Sequence, residues 1–84
     1  MAVFIKPHAE LRMRDRGISE ADVRVVVQSP KEVVSVRYGR LAAFGEVDER
    51  KLVVIYERKN DVIEVVTALC VDDRRLRTLG FTGV

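Results

Sequence analysis

Up to residue 28 the apolar positions recur every three or four residues, and from Glu32 onward their period falls to about two. The first regime predicts two helices behind a short apolar run, Val3–Ile5, that suits an edge strand. Pro7 can open the first helix, where its missing N–H costs nothing, and Gly17 can stop it at the C′ position, giving a helix over about His8–Arg16. Ser19 caps the second helix, Asp22 is its capping-box partner, and Ile18 is placed to staple onto Val23. Val23, Val26 and Val27 share one face, and Pro30 requires the helix to end before it.

In the second regime Val34, Val36 and Tyr38 alternate with Val33, Ser35 and Arg37, which predicts a strand ending at a tight turn on Gly39. Further strands are expected over Arg40–Val47, Lys51–Glu57 and Val62–Cys70, with charged turns at Asp48–Arg50 and Arg58–Asp61. The Val and Ile content of the last two places them at the sheet centre. Asp72 can cap a short final helix through Arg77, with Gly80 behind it. The fold class is α+β: an N-terminal helix hairpin on a four-stranded antiparallel sheet, in a single domain spanning residues 1–84.

At 84 residues, the chain has room for one core and buries only about 60% of its unfolded surface, which makes a homodimer a reasonable expectation. The single cysteine, Cys70, excludes an internal disulfide framework and is expected to be a buried small hydrophobe. Cysteine usage points to a reducing, cytoplasmic setting, and no apolar stretch nears the ~20 residues that span a bilayer. One His and one Cys far apart cannot supply a zinc site, and no Gly-rich phosphate loop appears, so neither metal nor cofactor is expected.

Net charge is only +2, but arginines outnumber lysines, and a guanidinium forks onto phosphate and stacks on bases where an ammonium does not. Three groups of basic residues stand out. On the first helix His8, Arg12 and Arg16 fall in one row, with Leu11 on one side and Ala9 and Met13 on the other. Such a row either rims a cleft, heads toward a ligand, or snorkels past the core to pair with acids such as Glu57 and Glu64. His8, of a residue type that titrates near pH ~6.5, is a candidate general acid or base, and equally a cap or surface residue. Arg37 and Arg40 flank Tyr38 at a hairpin tip, which suits a phosphate and an unstacked base, or plain solubility. Arg74, Arg75 and Arg77 follow Asp72 and Asp73, where local charge balance is the simplest reading. Tyr56 either caps the core or takes part in chemistry.

The stretches His8-Ala9-Glu10-Leu11-Arg12-Met13, Arg16-Gly17-Ile18-Ser19 and Asp22-Val23, with Tyr38-Gly39-Arg40, Val53–Glu57 and Val65–Ala68, resemble small prokaryotic domains related to the RelE/ParE toxin superfamily, particularly BrnT-like toxins. The resemblance covers about residues 6–69 and extends by analogy of fold. It implies a RelE-like fold, a metal-independent endoribonuclease acting on mRNA, and a cognate antitoxin covering the active face. It further implies His8 as proton carrier, Arg12, Arg16 and Arg40 on phosphate, and Tyr56 as a positioning group. Arg37, Tyr38, Arg74 and Arg75 complete the candidate RNA-binding set. Many nucleases of that group carry a Tyr or His near the C-terminus, and after Thr67 this chain has neither.

Three readings compete: an RNA-cleaving enzyme, a non-catalytic RNA- or protein-binding module, and an oligomeric domain whose arginines make surface ion pairs. The first needs His8 and the arginines around one concave surface, the second needs only the basic surface, and the third expects each arginine to face a carboxylate.

Overall fold

The computed structural model describes residues 2–84. The elements run β1 (Ala2–Ile5), α1 (Pro7–Asp15), α2 (Glu20–Gln28), β2 (Glu32–Val36), β3 (Arg40–Val47), β4 (Arg50–Lys59), β5 (Val62–Cys70) and α3 (Asp73–Leu79). The class is α+β, and the sheet has five strands in the order β1-β5-β4-β3-β2. Strands β2 to β5 form the antiparallel meander. The expected four-stranded antiparallel sheet is thus extended by β1, which pairs parallel to β5 from Ala2↔Val62 to Ile5↔Val65 and makes the sheet mixed.

Local chemistry explains the helix boundaries. Pro7 occupies the first turn of α1, and Gly17, at φ 68°, takes the left-handed position that follows its C-cap. The capping box of α2 is complete: Ser19 Oγ accepts from the Asp22 N–H at 3.1 Å, and Asp22 Oδ2 accepts from the Ser19 N–H at 3.0 Å. That N–H, followed by the Arg50 guanidinium 2.8 Å away, holds the Asp22 carboxyl below the usual carboxylate range. Between β3 and β4, Asp48 (φ 52°) and Glu49 (φ 66°) form a two-residue turn with both residues left-handed, the geometry that matches strand twist.

Two cores result, one on each side of the sheet. On one side α1 and α2 bury Ala9, Met13, Ile18, Val23, Val26 and Val27 against Leu52, Val54, Tyr56 and Val65. On the other, Leu76 of α3 and Phe81 close over Ala42, Phe44 and Val53, the Phe44 and Phe81 rings lying 5.7 Å apart. Between Ile55↔Thr67 and Tyr56↔Val65 the register slips, leaving Val66 as the extra residue, so Val65 and Ala68 both reach the helix-pair side.

Strand β2 stops at Val36 instead of continuing through Tyr38, because Tyr38 (φ 64°) and Gly39 (φ 68°) are both left-handed and turn the chain within one helical twist, Arg37–Gly39. Cys70 is exposed, a correction to the buried position expected of it: β1 ends opposite Val65, leaving the far end of β5 at an open edge.

Candidate basic cleft

The row predicted along α1 does not act as one group. His8 and Arg12 are exposed, and Arg12 Nε donates to His8 Nε2 at 3.2 Å. Arg16 is the C-cap of α1, with φ −100° and ψ 1°, and leaves the helical row. Its Nη1 donates to the Ala68 carbonyl at 2.9 Å and to Thr67 Oγ1 at 3.2 Å, on the open edge of β5 beyond the end of β1.

Arg16 there meets the arginines of α3. A cleft of about 750 Å³ lies between the end of β5 and α3, lined by Arg16, Leu69, Arg74, Arg75 and Thr78 among others. A second cleft, about 420 Å³, lies between the β2–β3 tip and the end of α3, and holds Arg37, Tyr38 and Arg40. Thr78 lines both, so the two are neighbours on either side of it along α3. The one carboxylate lining either is Asp72, whose Oδ1 accepts from the Arg75 backbone N–H at 2.8 Å as the α3 cap.

The cations divide sharply by type. Lys6, Lys31, Lys51 and Lys59 pair with Glu57, Glu46, Asp73 and Glu64 respectively. Among the described residues Arg50 is the one arginine with a carboxylate partner. Glu57 and Glu64, expected to meet the Arg row, thus go to lysines, and Asp73, expected to balance its neighbouring arginines, goes to Lys51.

The structure therefore places Arg16, Arg74 and Arg75 in one cleft and Arg37, Tyr38 and Arg40 in its neighbour, and leaves His8, Arg12 and Tyr56 elsewhere. The Tyr56 ring is buried in the core under α1 and α2, where burial raises its phenol pKa, and lies on the opposite side of the sheet from the clefts. Thr78 was not singled out from sequence: α3 was ended at Arg77, and the helix runs to Leu79. The signal available was its i+4 spacing from Arg74, to whose carbonyl its hydroxyl donates at 3.0 Å.

Among the described residues no helix is long and apolar enough to cross a membrane. Among the described residues no group of three His, Cys, Asp or Glu side chains gathers as a metal site. Residues 5–79 match the family described as "Domain of unknown function (DUF4258)", and the chain belongs to that family. Among curated proteins, none matches the chain.

Proposed function

We propose that this DUF4258 chain is a toxin-like, RNA-acting domain whose α3 face holds the phosphodiester backbone of mRNA. One observation carries the reading. Arg16, Arg37, Arg40, Arg74 and Arg75 line two neighbouring clefts, and none of them has a carboxylate partner among the described residues. Gathering like charges is unfavourable unless an anion answers them, and a planar fork on a concave surface matches phosphate oxygens two at a time. Were the arginines there for surface ion pairs, each would face an acid, as the lysines do. The helix pair on one side of the sheet is consistent with the RelE-like architecture that the sequence resembles. The same reading carries a cytoplasmic location and an antitoxin that covers the cationic face. It needs no second copy of the chain, since one chain lines both clefts.

Metal-independent cleavage is the stronger form of the proposal. In it the RNA 2′-oxygen attacks phosphorus, its proton passes to a base, and the 5′-oxygen leaves with a proton from an acid. The cleft arginines suit the added charge on the phosphorane, where each well-placed donor is worth about 3–4 kcal/mol. The proton carriers that the resemblance implies lie outside the clefts: His8 is bonded to Arg12, and Tyr56 is in the core. Binding is accordingly the better supported half.

The test is to express the chain alone while following growth and RNA integrity, and to titrate RNA against the purified protein over a range of salt. Binding should weaken steeply with salt, and Arg74→Ala with Arg75→Ala should lower the log–log slope by about 1.4, two single-strand phosphate contacts at about 0.7 each. Absence of binding at low salt, or a slope untouched by the double substitution, overturns the proposal. Tight, salt-sensitive binding with intact RNA keeps the binding module and removes cleavage.

A further inference from the structure

We infer that the β2–β3 tip is a stacking platform for one unpaired nucleobase, so that the RNA taken by the α3 face is single-stranded; this rests on the RNA-binding reading above. Tyr38 is 81% exposed and belongs to neither core, so its ring contributes nothing to packing. Its backbone sits at φ 64° and ψ 30°, a left-handed conformation that bulky L-residues rarely adopt and that Gly or Asn would take more easily. A tip built only to turn the chain would not combine a disfavoured backbone with an exposed aromatic ring.

The surroundings fit a flat π-face. The Arg40 guanidinium lies over the ring, 5.7 Å from its centroid, within cation–π range. Arg40 Nε is shielded from water and has no hydrogen-bond partner among the described residues. Beside the ring, the cleft has Val36, Ile55 and Leu79 in its lining. Apolar lining, an aromatic wall and a guanidinium rim match a base with its attached phosphate better than a phosphate alone. A duplex keeps its bases stacked inside and offers Tyr38 no free face, so the platform selects unpaired strands.

The test uses the full chain with a fluorescein-labelled eight-nucleotide RNA, single-stranded and as a perfect duplex. The chain has no Trp and Tyr56 is buried, so quenching of tyrosine emission on binding reports on Tyr38. Tyr38→Asn removes the ring and suits the left-handed backbone, which keeps the turn; Tyr38→Phe keeps the ring. The single strand should bind more tightly than the duplex and quench the emission. Tyr38→Asn should cost about tenfold in single-strand affinity with the salt slope unchanged, and Tyr38→Phe less than about twofold. Wild-type affinity in Tyr38→Asn, or equal affinity for the duplex, overturns the platform while the phosphate-binding proposal stands. No RNA binding by the wild type overturns both.

Discussion

The sheet has one closed face and one open face. Toward α1 and α2, Ala9, Val23, Val26, Leu52, Val54 and Val65 are completely buried. Toward α3, a helix of seven residues, Leu76 and Phe81 close only part of the surface. The remainder is left as neighbouring clefts lined by arginines that have no carboxylate partner among the described residues. On the proposed function, the contrast gives stability to the helix-pair face and recognition to the α3 face. An 84-residue chain has little apolar surface to spend, and placing most of it on one side leaves the other free to hold cations that an extended core would exclude.

The sharpest test of that division makes the same truncation on both faces. Leu52 and Leu76 are each 0% exposed. Leu52→Ala should lower unfolding free energy by about 3 kcal/mol in urea titration, within the usual range for a buried leucine, while the folded fraction still binds RNA with unchanged affinity. Leu76→Ala should instead weaken RNA binding, because Arg74 and Arg75 are positioned by the docking of α3. Equal losses of stability with RNA affinity untouched in both variants would falsify the division.

A smaller, local effect concerns what holds the α3 face together at its far end. The Glu32 carboxylate on β2 accepts from the Thr82 N–H at 3.0 Å, Thr82 Oγ1 at 2.8 Å and the Gly83 N–H at 3.0 Å. The Gly83 N–H, then Thr82, pull the Glu32 pKa below its ordinary 4.5. A carboxyl whose folded pKa is lowered stabilises the folded form fully above its unfolded value and loses that contribution as pH falls through the folded one. Acidification from pH 6 toward about pH 3 should therefore lower the amide protection factors (rates corrected for the intrinsic slowing of exchange in acid) at Thr82 and Gly83 before the helix-pair core responds, and Glu32→Gln should do the same at neutral pH. Simultaneous loss of protection on both faces would show that the tail is not separately held.

Whatever depended on neighbours within a few residues was readable in advance. The α2 capping box, the Gly17 stop, the exact span of β5 and the Asp72 cap with left-handed Gly80 all follow from local backbone chemistry. What needed a distant partner was not. Nothing in Ala2–Ile5 says that it pairs parallel to β5, and nothing in Val62–Cys70 marks Val66 as a bulge. The arginine groups at residues 37–40 and 74–75 were visible separately, but their placement in neighbouring clefts depends on α3 folding back over the sheet. The α1 row failed for a reason of one residue: helical periodicity assigned Arg16 to the row, and as the C-cap it has left the helix.

The smallest expected effect is also the most direct comparison between the α1 row and the clefts. His8 is exposed, outside both clefts, and its only side-chain partner is Arg12, four residues along the same helix. An exposed contact of this kind contributes little, so His8→Ala and Arg12→Ala should each change stability by less than about 0.5 kcal/mol. Both should leave RNA affinity within error, in contrast to Arg16→Ala, which removes the one guanidinium that α1 delivers to the β5 edge. Cleavage is where the two accounts separate. If expression of the chain degrades RNA and His8→Ala stops it without changing affinity, the proton chemistry belongs to α1 and the α3 face only holds the strand. If degradation survives His8→Ala and is lost in Arg40→Ala or Arg74→Ala, the open face acts without a histidine, and charge stabilisation is its main catalytic contribution.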